Sequence, residues 1–395
     1  MIKELSQPIV ADFILKHENE EVTKLVLAQK QFENIPVQLA VAQIQSRKKA
    51  KSKLPEWYAA RGVLFPHGLS LEQCSSEATA VFKSRLVSGK SLVDLTGGTG
   101  VDTYYLSKNF KTTHYVERSA ELCDLARYNF EHIFAPISVH NSSAESHLSQ
   151  LEEKVDCIYL DPDRRDTANR KMVGIADCSP NVQELQDTLV SKAKTVLIKY
   201  SPLLDISEIL RSLKNVSDIY VVSVANECKE ILVKLDGSHQ SECILHTVNL
   251  LKESVQTFEF KLTEEKNALL EYAEPMSFLY EPNASILKAG AFKCVAQKFG
   301  INKLHPNSHL YTSTELVKEF PGRVFKILGE ENPSLKKWSK HLPDGKANIT
   351  VRNFPLTVDQ IRKKTKIKDG GEFYLFATTI AGGKPTLIIC EKVGL

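Results

Sequence analysis

The ten residues Val93-Asp94-Leu95-Thr96-Gly97-Gly98-Thr99-Gly100-Val101-Asp102 constrain this chain more than any other stretch, because a short apolar strand runs there into a glycine-rich turn that opens a helix. Glycine reaches positive φ freely and lets backbone N–H groups come close to a ligand at a helix N-terminus. In an α/β sheet, the crevice beyond such a turn is where ligands dock. The spacing excludes the dinucleotide fingerprint, since Gly97, Gly98 and Gly100 lie one and two apart and do not follow G-x-G-x-x-G. An NAD-dependent oxidoreductase is therefore the weakest enzyme reading. A P-loop and a G-x-S-x-G elbow are also missing from the sequence, which removes the motif evidence for a P-loop nucleotidase or an α/β-hydrolase.

The sequence around this turn alternates short apolar runs with helix-like stretches. Runs at Ser91 to Leu95, His114 to Val116, Ile137 to His140, Val155 to Leu160, Thr195 to Lys199 and Ile219 to Val224 predict a parallel, doubly wound α/β sheet with right-handed crossovers. Further strands near Glu230 to Leu235 and Gln256 to Leu262 complete or flank it. Before the sheet, from Pro8 to about Leu86, apolar residues recur at helical spacing, as in Val37, Ala40, Val41 and Ile44. After it, helical signals restart at Pro282 to Gly290, and Pro321-Gly322 reads as a boundary. Strand-like runs at Asn348 to Val351, Glu372 to Ala377 and Thr386 to Cys390 then flank a basic helix around Val358 to Lys366. With 395 residues, more than one core usually organises, the chain divides into 1–86, 87–280, 281–322 and 323–395.

The strand closed by acidic Asp94 and followed by the Gly97–Gly100 turn resembles the class I S-adenosylmethionine-dependent methyltransferases. The second strand supports this by ending in Tyr115-Val116-Glu117-Arg118, which puts a carboxylate beside the turn, where both hydroxyls of a ribose could donate to it. After the third strand, Asn141-Ser142-Ser143-Ala144-Glu145 occupies the place of an adenine-contacting polar residue. It reads equally well as a capping box of Ser142 and Glu145. The fourth strand runs into Asp161-Pro162-Asp163-Arg164-Arg165-Asp166, which partly resembles the Asp/Asn-Pro-Pro loops of methyltransferases that modify nitrogen. Asp163 stands where the second proline would be, and no aromatic follows to stack on a base. Pro162 stiffens this loop, the Asp161 carboxylate can accept an N–H from an amine, and Arg164 or Arg165 can hold a phosphate. Upstream, Ser70 to Ala80 leads into the helix before the first strand, in the position from which this fold covers the methionine part of the cofactor; Ser75 or Ser76 reads first as an N-cap there. Lys199-Tyr200-Ser201-Pro202 could edge a substrate pocket.

Charge is unevenly distributed. The net charge is +3, yet from Ala284 to the end there are 19 Lys and Arg against 9 Asp and Glu, so this part carries +10 and residues 1–283 carry −7. A basic C-terminal part invites a polyanion. The run Ser46 to Lys53 is balanced between a solvated helix end and a nucleic-acid contact. Eight cysteines lie scattered with no Cys-x-x-Cys pair, which fits neither a zinc knuckle nor a disulfide framework. His305 and His309 are spaced like a zinc pair, but Pro306 and Asn307 break the helix such a pair needs, so no metal is expected. The sequence has no apolar run of membrane-spanning length and its start lacks a signal-peptide pattern, giving the expectation of a cytoplasmic protein without a membrane partner.

Assembled, the segments Leu71 to Glu77, Asp94 to Asp102, Val116 to Arg118, Leu160 to Arg165, Glu281 to Gly290 and Pro321 to Arg323 resemble a bacterial family of S-adenosylmethionine-dependent methyltransferases with a C-terminal THUMP-like domain. The pattern from Asp94 to Asp102, followed by Val116 to Arg118, is also similar to a guanine-N2 methyltransferase of small-subunit rRNA. The resemblance implies an N-terminal helical region, a Rossmann-like class I methyltransferase sheet, a small connecting ferredoxin-like domain at 281–322 and a basic α+β THUMP-like domain at 323–395. It implies S-adenosylmethionine as cofactor, held by Asp94, Thr96, Gly97, Gly98, Gly100, Asp102, Glu117, Arg118, Ser142, Ser143 and Asp161. It also implies catalysis by Asp161, Pro162 and Arg164, and an RNA partner, rRNA or tRNA, methylated at a base nitrogen. The alternatives are a protein or small-molecule methyltransferase and a non-catalytic RNA-binding or assembly factor that keeps the cofactor as a structural ligand.

Overall fold

The computed structural model describes residues 2–66, 68–164, 174–331, 342 and 344–394, without the side chains of 69, 70 and 164. The chain divides into two compact units, residues 1–217 with 231–241, and residues 218–230 with 242–395.

The first unit opens with helices. Val37–Lys53 carries its apolar residues three and four apart, so Val37, Ala40, Val41 and Ile44 fall on one face. That face is buried with Val10, Phe13 and Ile14 of Pro8–Lys16 and Leu25 of Val22–Leu27. The basic run at its C-terminal end is taken up inside this unit. Arg47 is buried against Glu18 at 3.4 Å, Lys48 donates to the Glu20 carbonyl at 2.6 Å, and Lys53 donates to the carbonyls of Leu71 and Glu72 at 3.0 and 2.6 Å.

The sheet of this unit is built from β1 (Gly89–Asp94), β2 (Phe110–Glu117), β3 (Ile137–Asn141) and β4 (Val155–Leu160). A two-residue antiparallel pair, β5 (Asp163–Arg164) with β6 (Cys178–Ser179), follows, and then β7 (Ala193–Tyr200). Strand β1 lies between β2 and β4 with parallel pairing on both sides, β3 continues beyond β2, and β7 continues beyond β4. The order reverses between β1 and β4, which places the crevice of a doubly wound sheet at the C-terminal ends of these two strands. The expected parallel strands are all present. One strand departs from the pattern: after β8 (Val216–Val224), β9 (Glu227–Leu235) pairs antiparallel with β7 through Ile231–Leu235.

In the second unit β8 pairs in parallel with β10 (Ile244–Leu250), which pairs antiparallel with β11 (Val255–Lys261). Seven more strands form one sheet. They are β12 (Phe278–Pro282), β13 (Asn302–Lys303), β14 (Tyr311–Ser313), β15 (Gly322–Glu331), β16 (Asn348–Arg352), β17 (Phe373–Thr379) and β18 (Pro385–Lys392), in the order β13-β14-β12-β15-β18-β17-β16. The helix Val358–Thr365 makes the crossover between parallel β16 and β17, with Ile361 buried beneath it. At Pro321-Gly322 the chain passes straight into β15, which pairs with β12. Gly322 is required there, because a Cβ would meet the Glu281 carbonyl oxygen at 2.1 Å.

Strands β10, β12 and β15 are the longer ones that sequence patterning does not show, beside the two- and three-residue β5, β6, β13 and β14. The five residues of β12 are short and end in proline, and β15 begins in a Pro-Gly pair that ordinarily marks a turn. Among the described residues no helix is long and apolar enough to cross a membrane, and no group of three or more His, Cys, Asp or Glu could hold a metal ion.

Candidate active site

The turn after β1 is held from below by Asp94. Its carboxylate is fully buried and accepts the Thr103 hydroxyl at 2.6 Å and the Thr96 N–H at 3.0 Å, tying the end of the strand to the first turn of the helix Val101–Ser107. Burial pushes this carboxyl up to about 7, against the pull of those two donors. The glycines have separate reasons. A Cβ on Gly97 would lie 2.2 Å from the buried Tyr115 ring, Gly98 sits at φ +53° with open space where a Cβ would go, and Gly100 sits at φ +81° with Phe130 2.8 Å from a would-be Cβ. Tyr115 donates its hydroxyl to the Gly98 carbonyl at 2.6 Å, and Gly97 N–H reaches the Val116 carbonyl at 2.8 Å, so the turn is clamped onto β2.

At the end of β2, the Glu117 carboxylate accepts the N–H of Gly98 at 3.0 Å and of Ser119 at 2.8 Å. A carboxylate offers about four acceptor positions, so two of Glu117's stay open. Arg118 is exposed and lies 3.7 Å from the Asp163 carboxylate. Ser142 sits at the cavity wall with its N–H on the Glu117 carbonyl at 3.1 Å. The cap of the next helix is Ser143, which accepts the Ser146 N–H at 3.1 Å, so the capping box of Ser142 with Glu145 is not the one formed.

The loop after β4 faces the same space. Asp161 donates its N–H to the Thr96 hydroxyl at 2.6 Å, and its carboxylate pairs with Lys199 of β7. Pro162 is buried. For Arg164 the backbone belongs to β5 but the side chain lies outside the described residues, as do Arg165 and Asp166 entirely.

A fourth group forms the floor. Asp102 accepts hydroxyls from Ser75 at 2.8 Å and Tyr159 at 2.7 Å, and Lys83, itself buried, stands 3.2 Å from it and donates to Ser75 at 2.9 Å. Burial would raise the Asp102 carboxyl, but the Lys83 and Lys199 cations with those two hydroxyls outweigh it and hold it below its ordinary range. Its Oδ1 is shut off from water and faces the Lys83 ammonium. The paired serines thus divide their roles: Ser76 caps the helix Glu77–Ser84, accepting the Thr79 N–H at 3.3 Å, while Ser75 joins the floor. For Ser75 the sequence offers a cap first and a wall of the cofactor site second, and it does not single out Lys83 or Tyr159. The one available signal was their charge and polarity inside otherwise apolar periodic stretches.

These groups line one cavity of about 320 Å³, within the range of small-molecule sites, reached by Gln73 to Ser75, the β1 turn, Glu117, Ser142, Tyr159 and Asp161. The donor set fits a nucleoside with a charged amino-acid arm. Glu117 has acceptor room for a diol, and the Asp102 carboxylate lines the wall where an ammonium would lie. The turn leaves no pyrophosphate-type fingerprint.

A model of a ferredoxin-like domain matches residues 278–321 and a THUMP domain-like model matches residues 322–392. Comparison with curated proteins gives no match. Among solved structures, a candidate methyltransferase from Porphyromonas gingivalis W83 superposes with a TM-score of 0.89 at 34% identity, covering 99% of each chain. An rRNA methylase from Streptococcus thermophilus covers 40% of this chain and 93% of its own at 12% identity and TM-score 0.30. TrmK from M. capricolum, solved with S-adenosylhomocysteine, covers 43% and 71% at 12% identity and TM-score 0.33. At such values the last two carry no argument. The first match spans both chains end to end, and with the site geometry and the C-terminal models it gives one conclusion: this chain belongs to the bacterial family of class I S-adenosylmethionine-dependent methyltransferases with a C-terminal THUMP-like domain.

Proposed function

We propose that this protein methylates a base nitrogen of RNA, rRNA or tRNA, using S-adenosylmethionine. The observation that carries the reading is that a carboxylate on a stiffened loop, Asp161 beside Pro162, lines the same cavity as the Gly97-Gly98 turn and the half-used acceptor Glu117. The cofactor, when bound, supplies an activated methyl group, so alignment and proton acceptance are what remain for the protein.

Glu117 takes the ribose hydroxyls, the turn N–H groups and Asp102 hold the amino-acid arm, and Ser142 and Ser143 border the base. Asp161 accepts a hydrogen bond from the N–H of the acceptor amine, orienting its lone pair toward the methyl group and receiving the proton as the new C–N bond forms. Lys199 pairs with that carboxylate and fixes it in place. Pro162 restrains the loop, and Arg118 and Arg164 contribute positive charge for a substrate phosphate. The +10 charge of residues 284–395 supports RNA as the substrate class, since phosphate neutralisation dominates such binding.

The test is mass spectrometry of nucleosides from rRNA and tRNA of cells lacking the protein, compared with the parent. Loss of one N-methylated nucleoside, restored by the wild-type gene and not by an Asp161→Asn copy, is the expected result. An unchanged nucleoside inventory would overturn the RNA assignment.

A further inference from the structure

In the second unit one buried carboxylate serves two arginines. Glu281 of β12, 2% exposed, accepts from Arg323 of β15 through Nε at 2.7 Å and through a second guanidinium nitrogen, and from Arg352 at the end of β16 at 2.8 Å. Strands β12 and β16 stand far apart in the sheet order, so this contact closes the sheet back on itself. The loop between β13 and β14 fills the closure. There Ser308 donates to the Thr379 carbonyl at 2.6 Å, and Asn353 reaches His305 at 3.1 Å.

The seam holds more positive charge than it neutralises. Arg323 and Arg352 remain a third or more exposed although Glu281 is not, and one carboxylate cannot balance two guanidiniums. The Arg352 Nε and the His309 Nδ1 are both buried without a hydrogen-bond partner. Lys303 is buried beside them, its ammonium donating to the Pro306 carbonyl at 2.6 Å and lying 5.3 Å from the centre of the Phe292 ring, on which His309 stacks at 3.7 Å. Burial lowers Lys303 to about 8, with Glu265 opposing, and lowers His309 to about 4, with the Lys303 and Arg352 charges adding to the effect. His309 and Asn353 also hold positive φ, 51° and 52°, backbone conformations uncommon outside glycine. A fixed fork of guanidinium donors with surplus charge matches a tetrahedral oxyanion in geometry and sign.

We infer that the Arg323–Glu281–Arg352 cluster, with Lys303 behind it, is a phosphate-binding site for RNA, joining the ferredoxin-like and THUMP-like segments into one recognition surface. This rests on the RNA reading above and narrows it to named residues. The phosphate can be an internal phosphodiester or a terminal monophosphate.

The experiment is filter binding of the full-length protein to total cellular RNA, and to one oligonucleotide with and without a 5′-monophosphate, across a salt series. Arg352→Gln should weaken RNA binding about tenfold at low salt and reduce the log–log salt slope by about one unit, with S-adenosylmethionine affinity unchanged. Arg352→Lys should recover the slope but only part of the affinity, because it keeps the charge and loses the fork. If Arg352→Gln melts early, Arg323→Gln, which leaves Glu281 paired, reads the same quantity. Loss confined to the 5′-phosphorylated oligonucleotide assigns a terminal phosphate, and equal loss on both assigns an internal one. Wild-type affinity and slope in folded Arg352→Gln or Arg323→Gln would overturn the phosphate site while leaving the RNA reading intact. A wild-type protein that binds no RNA overturns the RNA reading itself.

Discussion

Glu117 accepts the backbone N–H of Gly98 at 3.0 Å, so the carboxylate at the end of β2 braces the turn at the end of β1 whose ligand it would share. Glu117→Ala should therefore weaken S-adenosylmethionine binding by about 1.5–3 kcal/mol, the usual range for hydrogen bonds to a charged acceptor. Glu117→Gln, which keeps one acceptor oxygen, should lose less. Calorimetry with S-adenosylmethionine, S-adenosylhomocysteine and NAD checks this, and tighter NAD binding would contradict the cavity assignment.

The two adjacent glycines should fail differently. Gly97→Ala forces a methyl against the buried Tyr115 ring and should destabilise the fold by about 1–3 kcal/mol. Gly98→Ala meets no neighbour closer than 3.7 Å, so its cost to stability is the left-handed backbone alone, about 1–2 kcal/mol, while its side chain enters the cavity and lowers cofactor affinity. Denaturant melts paired with calorimetry separate the two effects.

Asp161→Asn should keep cofactor affinity within about threefold and lose methyl transfer by roughly a hundredfold or more, the scale of a lost general base. Lys199→Met should lower transfer less, because the carboxylate stays but loses the partner that fixes its position. Methyl incorporation into RNA from cells lacking the protein measures both. Parallel loss of affinity and activity in Asp161→Asn would make Asp161 a cofactor residue only.

Stability should fall as pH rises from about 4 to 7. The buried Asp94 carboxyl titrates at about 7 in the folded protein, above its ordinary value of 3.8, so the folded state binds the extra proton across that window. Its contribution is full below about pH 4 and is lost by up to about 1.4 kcal/mol per pH unit on the way to 7. Asp94→Asn should flatten this slope in urea melts. Asp156, held near 2 first by the Lys194 ammonium and then by backbone N–H groups, acts at lower pH and in the opposite sense, so the two windows do not overlap.

In the basic helix of the C-terminal segment, Arg362 pairs with Asp369 and is largely covered, whereas Lys363 and Lys364 are exposed. Neutralising Lys363 and Lys364 together should reduce the salt slope of RNA binding by up to roughly two units without changing stability. Arg362→Ala should instead lower the melting temperature. An unchanged slope in the double variant would leave this helix as ordinary solvated surface.

The parallel strands and the turn were legible in the sequence because period and glycine placement are local properties, and Asp94, Gly98, Glu117 and Asp161 stand on or beside those strand ends. Lys83 and Tyr159 were not, and Ser75 only as the second of two readings, because what draws them to Asp102 is tertiary: they come from a helix, a strand and a loop that only the fold brings together. Lys199 was read as a pocket edge, and its pairing with Asp161 follows only once β7 lies beside β4. The short β12 and the β15 that begins at a Pro-Gly pair were invisible for a different reason. Each is a strand by virtue of its neighbours, and the residues that permit this, such as Gly322 against the Glu281 carbonyl, locally advertise a break.

The placement of β15 between β12 and β18 bears on how such proteins can be inherited. A recombination event that carried off the THUMP-like segment from residue 322 onward would take β15 away from β12 and leave both halves with raw strand edges, prone to pairing with other chains. The two segments should therefore travel between genomes as one heritable block, and a lineage that discards the ferredoxin-like piece should have to discard its companion as well.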